Sequence, residues 1–167
     1  QQTAIQQLDA LYEKALPEIG RTSAMIFQIH RMMLQDVNYV ESIRNMIENQ
    51  GQNAEYAVSV TAAKFANTFA SMEDPYMRER AADVKDISQR LTNILTHKHD
   101  EIISFEQPVI LAANDFVPSE IMQLDKEKVL ALVTCHGSIN SHTAILARIM
   151  NIPAVVNLGT DFTKEYN

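Results

Sequence analysis

The spacing of apolar residues changes once along this 167-residue chain, close to His97, and this change limits the possible folds more than any other feature. Up to that point apolar residues recur three and four positions apart, the period of an amphipathic helix. Further on they form short continuous runs at 108–113, 129–134 and 153–156, a pattern typical of strands buried on both faces. The sequence therefore predicts a helical first part and a second part in which strands and helices alternate.

Proline, glycine and capping residues divide the first part into several helices. Residues 17–20 should end the first helix, and Thr22 or Ser23 should cap the second. Asp36 and Asn53 are placed to cap the next two helices, since Asp and Asn side chains accept hydrogen bonds from free N–H groups of a first turn. Helices of this length joined by short turns favour an antiparallel helical bundle.

The last helix of the first part should begin at Pro75, because proline is well suited to a first helical position. Its residues Asp86 and Arg90 are four positions apart and should pair on the solvent-facing side. In the second part, residues 118–124 and about 141–150 are the predicted helices between the three strands. Strand, helix and strand in this order describe a small α/β unit.

The composition narrows the classes of function. A formal net charge of -7 argues against a nucleic-acid ligand and suits a basic protein partner. Because no apolar run approaches the roughly 18 residues of a membrane span and Cys135 is the single cysteine, we expect a cytoplasmic protein without a disulfide framework. The chain opens inside a helical pattern and stops soon after a strand, so we expect a fragment that is incomplete at both ends.

One motif in the second part offers specific chemistry. It is HGSINSHTAILAR, residues 136–148, which follows the second strand and opens a helical pattern. Free backbone N–H groups and the positive end of a helix dipole collect at such a turn, so an anion is well held there. A neutral His142 could act there as a nucleophile toward phosphorus, with Arg148 lending charge. The motif is therefore a candidate phosphoryl acceptor.

Two plainer interpretations of these residues stay open. With Asn140 or Ser141 as the helix cap, His142 could be a partly exposed polar residue without chemistry. Cys135, His136 and His142 could instead be metal ligands, although no second Cys-His pair accompanies them.

Residues 137–148 resemble the phosphohistidine signature of the phosphoenolpyruvate-utilising enzymes, a family that includes enzyme I of the bacterial sugar phosphotransferase system, pyruvate phosphate dikinase and phosphoenolpyruvate synthase. The signature starts with two small residues, continues through Thr or Asn to His, and ends with aliphatic residues, a small residue and Arg. His142 and Arg148 fill its two charged positions. Ser138 departs from it, because a second small residue without a hydroxyl is usual there. Residues 151–156 are similar to the segment that follows the signature.

The upstream half resembles one branch of that family. Residues 79–87 are similar to the helix that precedes the phosphohistidine unit in enzyme I, and Phe27, His30 and residues 32–36 and 118–120 also align with it. The dikinases and synthases lack this bundle. The resemblance covers nearly the whole chain and points to the amino-terminal region of enzyme I, the phosphoenolpyruvate-protein phosphotransferases.

This resemblance implies a fold and a phosphoryl relay. The fold would be of mixed α+β and α/β class, with an antiparallel helical bundle of the HPr-binding type at 1–98 joined to a partial phosphohistidine α/β swivelling domain at 99–167. In the family, a carboxy-terminal barrel binds Mg²⁺ and phosphoenolpyruvate and phosphorylates the histidine that matches His142. The phosphocarrier protein HPr then receives the group. This chain would be a transferase fragment that exchanges phosphate with HPr and with the phosphoenolpyruvate-binding domain, and it would hold no cofactor or metal itself.

The resemblance also assigns roles to single residues. Next to His142, Gly137 would give the phosphoryl group room, Asn140 and Ser141 would cap the helix or donate hydrogen bonds, and Arg148 would stabilise charge.

The HPr-docking surface implied by the resemblance consists of His30, Met33, Tyr39, Phe69 and Arg80. An ordinary structural role is open for four of them, since Met33, Tyr39 and Phe69 could be core residues at helical spacing and Arg80 a solvated charge.

Two other functions fit the sequence. The chain could be a regulatory module that binds a phosphocarrier without turnover, an interpretation that Ser138 would favour. It could also be the enzyme I-like segment of a phosphotransferase-coupled dihydroxyacetone kinase subunit.

Overall fold

The computed structural model describes residues 1–97, 105–139 and 141–159. They form two compact units. The first contains residues 1–14 and 24–97, and the second contains residues 15–23, 105–139 and 141–159. The boundary predicted between residues 98 and 99 lies outside the described residues.

The longest helix, α1, spans Gln2–Leu34 and is interrupted at Gly20. Gly20 has φ 76° and ψ 164°, a conformation that glycine adopts readily and that strains any residue with a Cβ atom. The sequence predicts a break at residues 17–20, and the structure confirms it. The predicted cap at Thr22 or Ser23 is wrong, because both residues already lie inside the helical segment that follows Gly20.

Three more helices complete the first unit. They are α2 (Val37–Glu48), α3 (Ala54–Ala70) and α4 (Pro75–Leu95), with α3 packed against both α2 and α4. The side chains of Asp36, Asn53 and Asp74 accept backbone N–H hydrogen bonds from the first turns of these helices, at 3.0, 2.8 and 2.9 Å respectively. Each bond satisfies a donor that a helix start leaves unpaired. The predicted roles of Asp36, Asn53 and Pro75 are therefore confirmed.

The core of the first unit contains charged side chains from α4 as well as apolar ones. Asp86 and Arg90 are only 4% and 6% exposed, so the prediction that they lie on a solvent-facing side is wrong. Asp86 lies 3.3 Å from a ring nitrogen of His30, and Arg90 donates a 2.9 Å hydrogen bond to Gln7. Partners on α1 allow these polar groups to be buried, because each polar group taken from water needs one. The spacing along α4 could not reveal them.

The second unit is built on a small parallel sheet. Its elements follow the order β1 (Val109–Ala113), α5 (Pro118–Ile121), β2 (Val129–Thr134), α6 (His142–Ile149) and β3 (Ala154–Val155). The strand order is β1-β2-β3, and both neighbours run parallel to β2. All three strands and both short helices occur where the sequence predicts them. With the helices of the first unit, they confirm the mixed α+β and α/β class.

The strands are less buried than their apolar sequences predict. Leu132 in the central strand is fully buried, but Ile110, Leu130 and Val155 are each more than half exposed. The prediction of strands buried on both faces is therefore wrong for this part of the chain. Within the described ranges, none of the helices combines the length and apolar character that crossing a membrane requires.

Candidate functional site

The signature motif lies at the carboxyl end of the parallel strands. The turn that leaves β2 is bonded to the end of β1 and to the residue after it. The N–H of Cys135 donates to the carbonyl of Ala113 at 3.2 Å, and the N–H of His136 donates to the carbonyl of Asn114 at 3.0 Å. The Thr134 hydroxyl closes the turn with a 2.6 Å bond to the His136 carbonyl. In open α/β sheets this edge is where ligands usually bind.

Gly137 occupies the tightest point of the turn. Its φ of 104° is a conformation that side chains with a Cβ atom rarely adopt. A Cβ atom built at this position would lie 3.3 Å from Oγ of Ser141 and 3.9 Å from Oγ1 of Thr134. Both the backbone conformation and the neighbouring hydroxyl groups therefore favour glycine here, and the exposed backbone at Gly137 stays open to a ligand.

Ser141 is the N-cap of α6. Its Oγ accepts a 3.3 Å hydrogen bond from the N–H of Ala144 and donates a 2.8 Å bond to the carbonyl of Ser138. Asn140, the other predicted cap or donor, lies outside the described residues. The capping role predicted for Ser141 is thus confirmed, and it fixes where α6 begins.

His142 is the first residue of α6, and its side chain is half-buried. This position is at the positive end of the helix dipole, which favours a negatively charged group. Arg148 lies in the last turn of the same helix with an exposed side chain. A charge contributed by Arg148 at His142 would require its side chain to extend back along α6.

One further contact at this site was not predicted. Thr143 follows His142 and is 2% exposed, and its hydroxyl lies 3.0 Å from Oδ1 of Asp115 and 2.8 Å from the carbonyl of Phe116. The signal in the sequence is the polar Asn114-Asp115 pair directly after the first strand. Because parallel strands end at the same edge of a sheet, this pair had to lie near the residues that follow β2.

A metal site finds no support among the residues that the structure describes, because no group of three or more His, Cys, Asp or Glu side chains is arranged to hold an ion. Cys135 is buried while His136 is exposed. The chemistry that this edge offers is that of a helix start, hydroxyl groups and an imidazole.

The first unit contains a second candidate site, an apolar groove of about 430 Å³ between α1, α2, α3 and α4. We call it the methionine groove, and it is lined by Ile29, Met32, Met33, Asp36, Asn38, Tyr39, Phe65, Phe69, Val84 and Ile87. Met33 and Phe69 are half-buried and Met32 is 69% exposed. Apolar side chains that remain accessible in a groove are typical of protein-docking surfaces.

Tyr39 supports the methionine groove from within. It is buried, its hydroxyl lies 2.8 Å from Oγ of Ser88, and its ring packs edge-on against Phe65 with 5.5 Å between centroids. Burial raises the pKa of the Tyr39 hydroxyl. The structure brings the predicted residues Met33, Tyr39 and Phe69 together in the groove lining, where the Tyr39 side chain is 2% exposed, and the contact of Tyr39 with a partner stays a prediction.

His30 and Arg80 belong to a buried charge cluster rather than to the groove lining. His30 is fully buried, with its ring nitrogens 3.2 Å from Asp83 and 3.3 Å from Asp86. Arg80 is 2.7 Å from the other Asp83 oxygen, and its guanidinium carbon lies 4.4 Å from the Tyr76 ring centroid. No surface of His30 is accessible in the first unit, and the contact predicted between His30 and a partner stays a prediction.

The two carboxylates keep the buried imidazole charged. Burial alone lowers the pKa of His30, but the short N···O contacts and the charges of Asp83 and Asp86 raise it to about 9. At neutral pH, the cluster then contains two cations and two carboxylates, with Asp83 between His30 and Arg80.

Two family models match the two parts of the chain. Residues 1–80 match the N-terminal region of the PEP-utilising enzymes, and residues 105–166 match the mobile domain of the same family. Phosphoenolpyruvate-protein phosphotransferases from Priestia megaterium and Haemophilus influenzae are each 38% identical to this chain, over 155 and 154 residues. Both alignments cover 92% of the chain but 27% of the relative, so the chain spans about a quarter of the length of these proteins.

Solved structures agree with this relationship. An NMR solution structure of an enzyme I protein is 35% identical and superposes with a TM-score of 0.72, covering 98% of this chain and 66% of that one. The N-terminal domain of a nitrogen enzyme 1 is 26% identical with a TM-score of 0.65, covering 96% and 64% respectively. The chain belongs to the PEP-utilising enzyme family and carries that family's N-terminal region and mobile domain.

Proposed function

We propose that this chain is the phosphotransfer region of a phosphoenolpyruvate-protein phosphotransferase in the bacterial sugar phosphotransferase system. His142 would receive the phosphoryl group from a phosphoenolpyruvate-binding domain and pass it to the phosphocarrier protein HPr. The observation that carries the proposal is the position of His142 as the first residue of the Ser141-capped helix α6, after a turn opened by Gly137.

The chemistry needs few side chains. A lone pair on the neutral imidazole of His142 forms a bond to phosphorus while the bond from phosphorus to the donor breaks, and the donor atom keeps that electron pair. In the onward transfer, a lone pair on the HPr histidine forms a bond to phosphorus while the bond from phosphorus to His142 breaks, and His142 keeps that electron pair. The start of α6 would hold the negative phosphoryl oxygens, and the open backbone at Gly137 would admit them. Positioning and electrostatic stabilisation are the main demands of phosphoryl transfer, and Arg148 would add charge if its side chain reaches back.

The methionine groove is the proposed docking site for HPr. Met33 and Phe69 would contact the carrier, while Tyr39 and the His30 cluster would hold the groove walls from inside. The formal net charge of -7 favours a basic partner, because opposite charges speed the encounter. Arg80, which is 12% exposed, would add one positive contact at the rim of its cluster.

The phosphoenolpyruvate-dependent step belongs to a longer protein in this proposal. The phosphoenolpyruvate-binding domain would hold the Mg²⁺, and the steps proposed for this chain use its own side chains. The same proposal places the protein in the cytoplasm. Its only cysteine, Cys135, is a buried free thiol, which suits a reducing compartment.

Incubation with radiolabelled phospho-HPr tests the proposal. We expect the chain to acquire a label that is stable in base and labile in acid, as a phosphohistidine is, and His142→Ala to acquire none. His136→Ala is the matched control, since it removes an exposed imidazole from the same turn and should leave labelling intact. A folded wild-type chain that takes up no label, or equal labelling of His142→Ala, would contradict the proposal.

The same experiment separates the alternative of a regulatory module. Such a module would bind HPr, as measured by calorimetry, and would remain unlabelled. Ser138 supports this alternative, because it stands where the family signature has a small residue without a hydroxyl, and so do Arg21, Thr22, Val37 and Asn38, which stand where acidic residues are common on the docking surface.

A further inference from the structure

The contact between Thr143 and the segment after β1 has no part in the phosphotransfer chemistry described above. Thr143 is the second residue of α6, directly after His142, and it is 2% exposed. Its Oγ1 lies 3.0 Å from Oδ1 of Asp115 and 2.8 Å from the carbonyl oxygen of Phe116. One hydroxyl hydrogen therefore points at two acceptors on one neighbouring segment.

The acceptor side of this contact is itself held in place. Oδ1 of Asp115 also accepts a 2.9 Å hydrogen bond from the N–H of Phe116, the next residue in the chain. The next segment is fixed as well, since the N–H of Val117 donates at 3.0 Å to the Glu120 side chain at the start of α5. Thr143 is thus bonded to a segment whose own backbone is fixed.

Ser141 and Gly137 shape the turn before His142 through contacts close in sequence. Ser141 bonds to Ser138 and Ala144, which are near neighbours in sequence, and Gly137 leaves the turn free of a side chain. These bonds define where α6 begins. Thr143 joins the first turn of α6 to the segment that follows β1.

We propose that Asp115 and Thr143 form a positioning pair that fixes the first turn of α6, and with it the direction in which the His142 imidazole faces the phosphoryl donor. This inference rests on the proposed phosphotransfer function. Phosphoryl transfer requires the attacking nitrogen, phosphorus and leaving atom in line, and a displacement of about 1 Å at a reacting group can cost on the order of 100-fold in rate. A buried hydroxyl with two acceptors restrains such a displacement.

The first test compares Thr143→Val with Thr143→Ser in phosphoryl exchange with phospho-HPr. Valine keeps the shape of threonine and removes the hydroxyl, so we expect the rate at saturating carrier to fall about tenfold or more. The carrier concentration that gives half of the maximal rate should change by less than about twofold, because the methionine groove is untouched. Thr143→Ser restores the hydroxyl and should recover most of the rate.

The second test replaces Asp115, the acceptor of the Thr143 hydrogen bond, and compares it with a control aspartate. Asp115→Ala should lower the rate as Thr143→Val does, whereas Asp115→Asn, which keeps an acceptor oxygen, should lower it less. Asp125→Ala is the control, because Asp125 is an exposed aspartate of the same unit that accepts a comparable 3.0 Å bond from the N–H of Glu127. It should leave the rate unchanged. Circular dichroism confirms that every variant compared is folded.

NMR of the unphosphorylated chain gives a readout that does not depend on transfer. The His142 imidazole should show one set of ring resonances in the wild type and in Thr143→Ser, and shifted or broadened ones in Thr143→Val. If the wild-type chain takes up no label while this difference is present, the proposed function fails and the positioning pair stands. Unchanged rates or unchanged His142 resonances in a folded Thr143→Val variant would overturn the positioning pair.

Discussion

At the scale of single residues, Gly137 shows how one position can serve both backbone geometry and ligand access. Its φ of 104° is unfavourable for any residue with a side chain, and Oγ of Ser141 lies 3.3 Å from where a Cβ atom would be. The hydroxyl that would be displaced is the N-cap of α6. A side chain at Gly137 would therefore disturb the turn and the start of the helix that carries His142.

Gly137→Ala should lower both stability and phosphoryl uptake. We expect a loss of about 1–3 kcal/mol in the free energy of unfolding, the usual cost of a residue in a sparsely populated backbone region. Uptake of label from phospho-HPr should fall as well. Gly51→Ala is the control, because Gly51 also has a positive φ, 64°, but no atom within 4 Å of an added Cβ. It should lower stability without lowering uptake in the folded fraction, and equal uptake by both folded variants would contradict our account of Gly137.

At the scale of elements, the sequence predicted most of the helices and strands and missed how their faces are used. Asp36, Asn53 and Pro75 are local signals, and a local signal suffices to locate the start of a helix. The burial of Asp86 was missed because it depends on His30, far away in sequence on another helix. The hydrogen bond of Thr143 was not predicted for the same reason, since its partner Asp115 follows a different strand.

The ionic contacts between α1 and α4 predict a particular dependence of stability on pH. The pKa of His30 is raised from 6.5 to about 9, so its protonated form stabilises the fold fully below about pH 6.5. This contribution is lost as the pH rises through 9. At 1.36 kcal/mol per pKa unit, the loss is on the order of 3 kcal/mol. Urea unfolding between pH 6 and pH 10 measures it.

His30→Gln isolates this contribution. The variant should be less stable than the wild type at pH 6.5, and the difference between the two should shrink as the pH approaches 10. His97→Gln removes an exposed histidine from the same unit and should keep the wild-type profile. A constant difference between wild type and His30→Gln across the whole range would show that His30 is not the titrating group.

At the scale of the whole molecule, the proposed chemistry and the proposed docking surface lie in different units. His142 belongs to the second unit, while the methionine groove lies entirely in the first. Removing a groove side chain should therefore weaken carrier binding and leave the reacting group intact. Mutations at the two places should have different kinetic signatures, since binding lost equally from the ground state and the transition state raises KM and leaves kcat unchanged.

Phe69→Ala provides the test of this separation. Loss of a half-buried aromatic side chain from the groove should raise the KM for phospho-HPr about tenfold, the effect of roughly 1.4 kcal/mol of lost binding, with kcat within about twofold of wild type. Tyr56→Ala is the matched control, because Tyr56 is an exposed aromatic residue on the same helix α3 that does not line the groove. Its KM should match the wild type. If Phe69→Ala instead lowered kcat at unchanged KM, or if Tyr56→Ala raised KM as much, the methionine groove would not be the surface that binds the carrier.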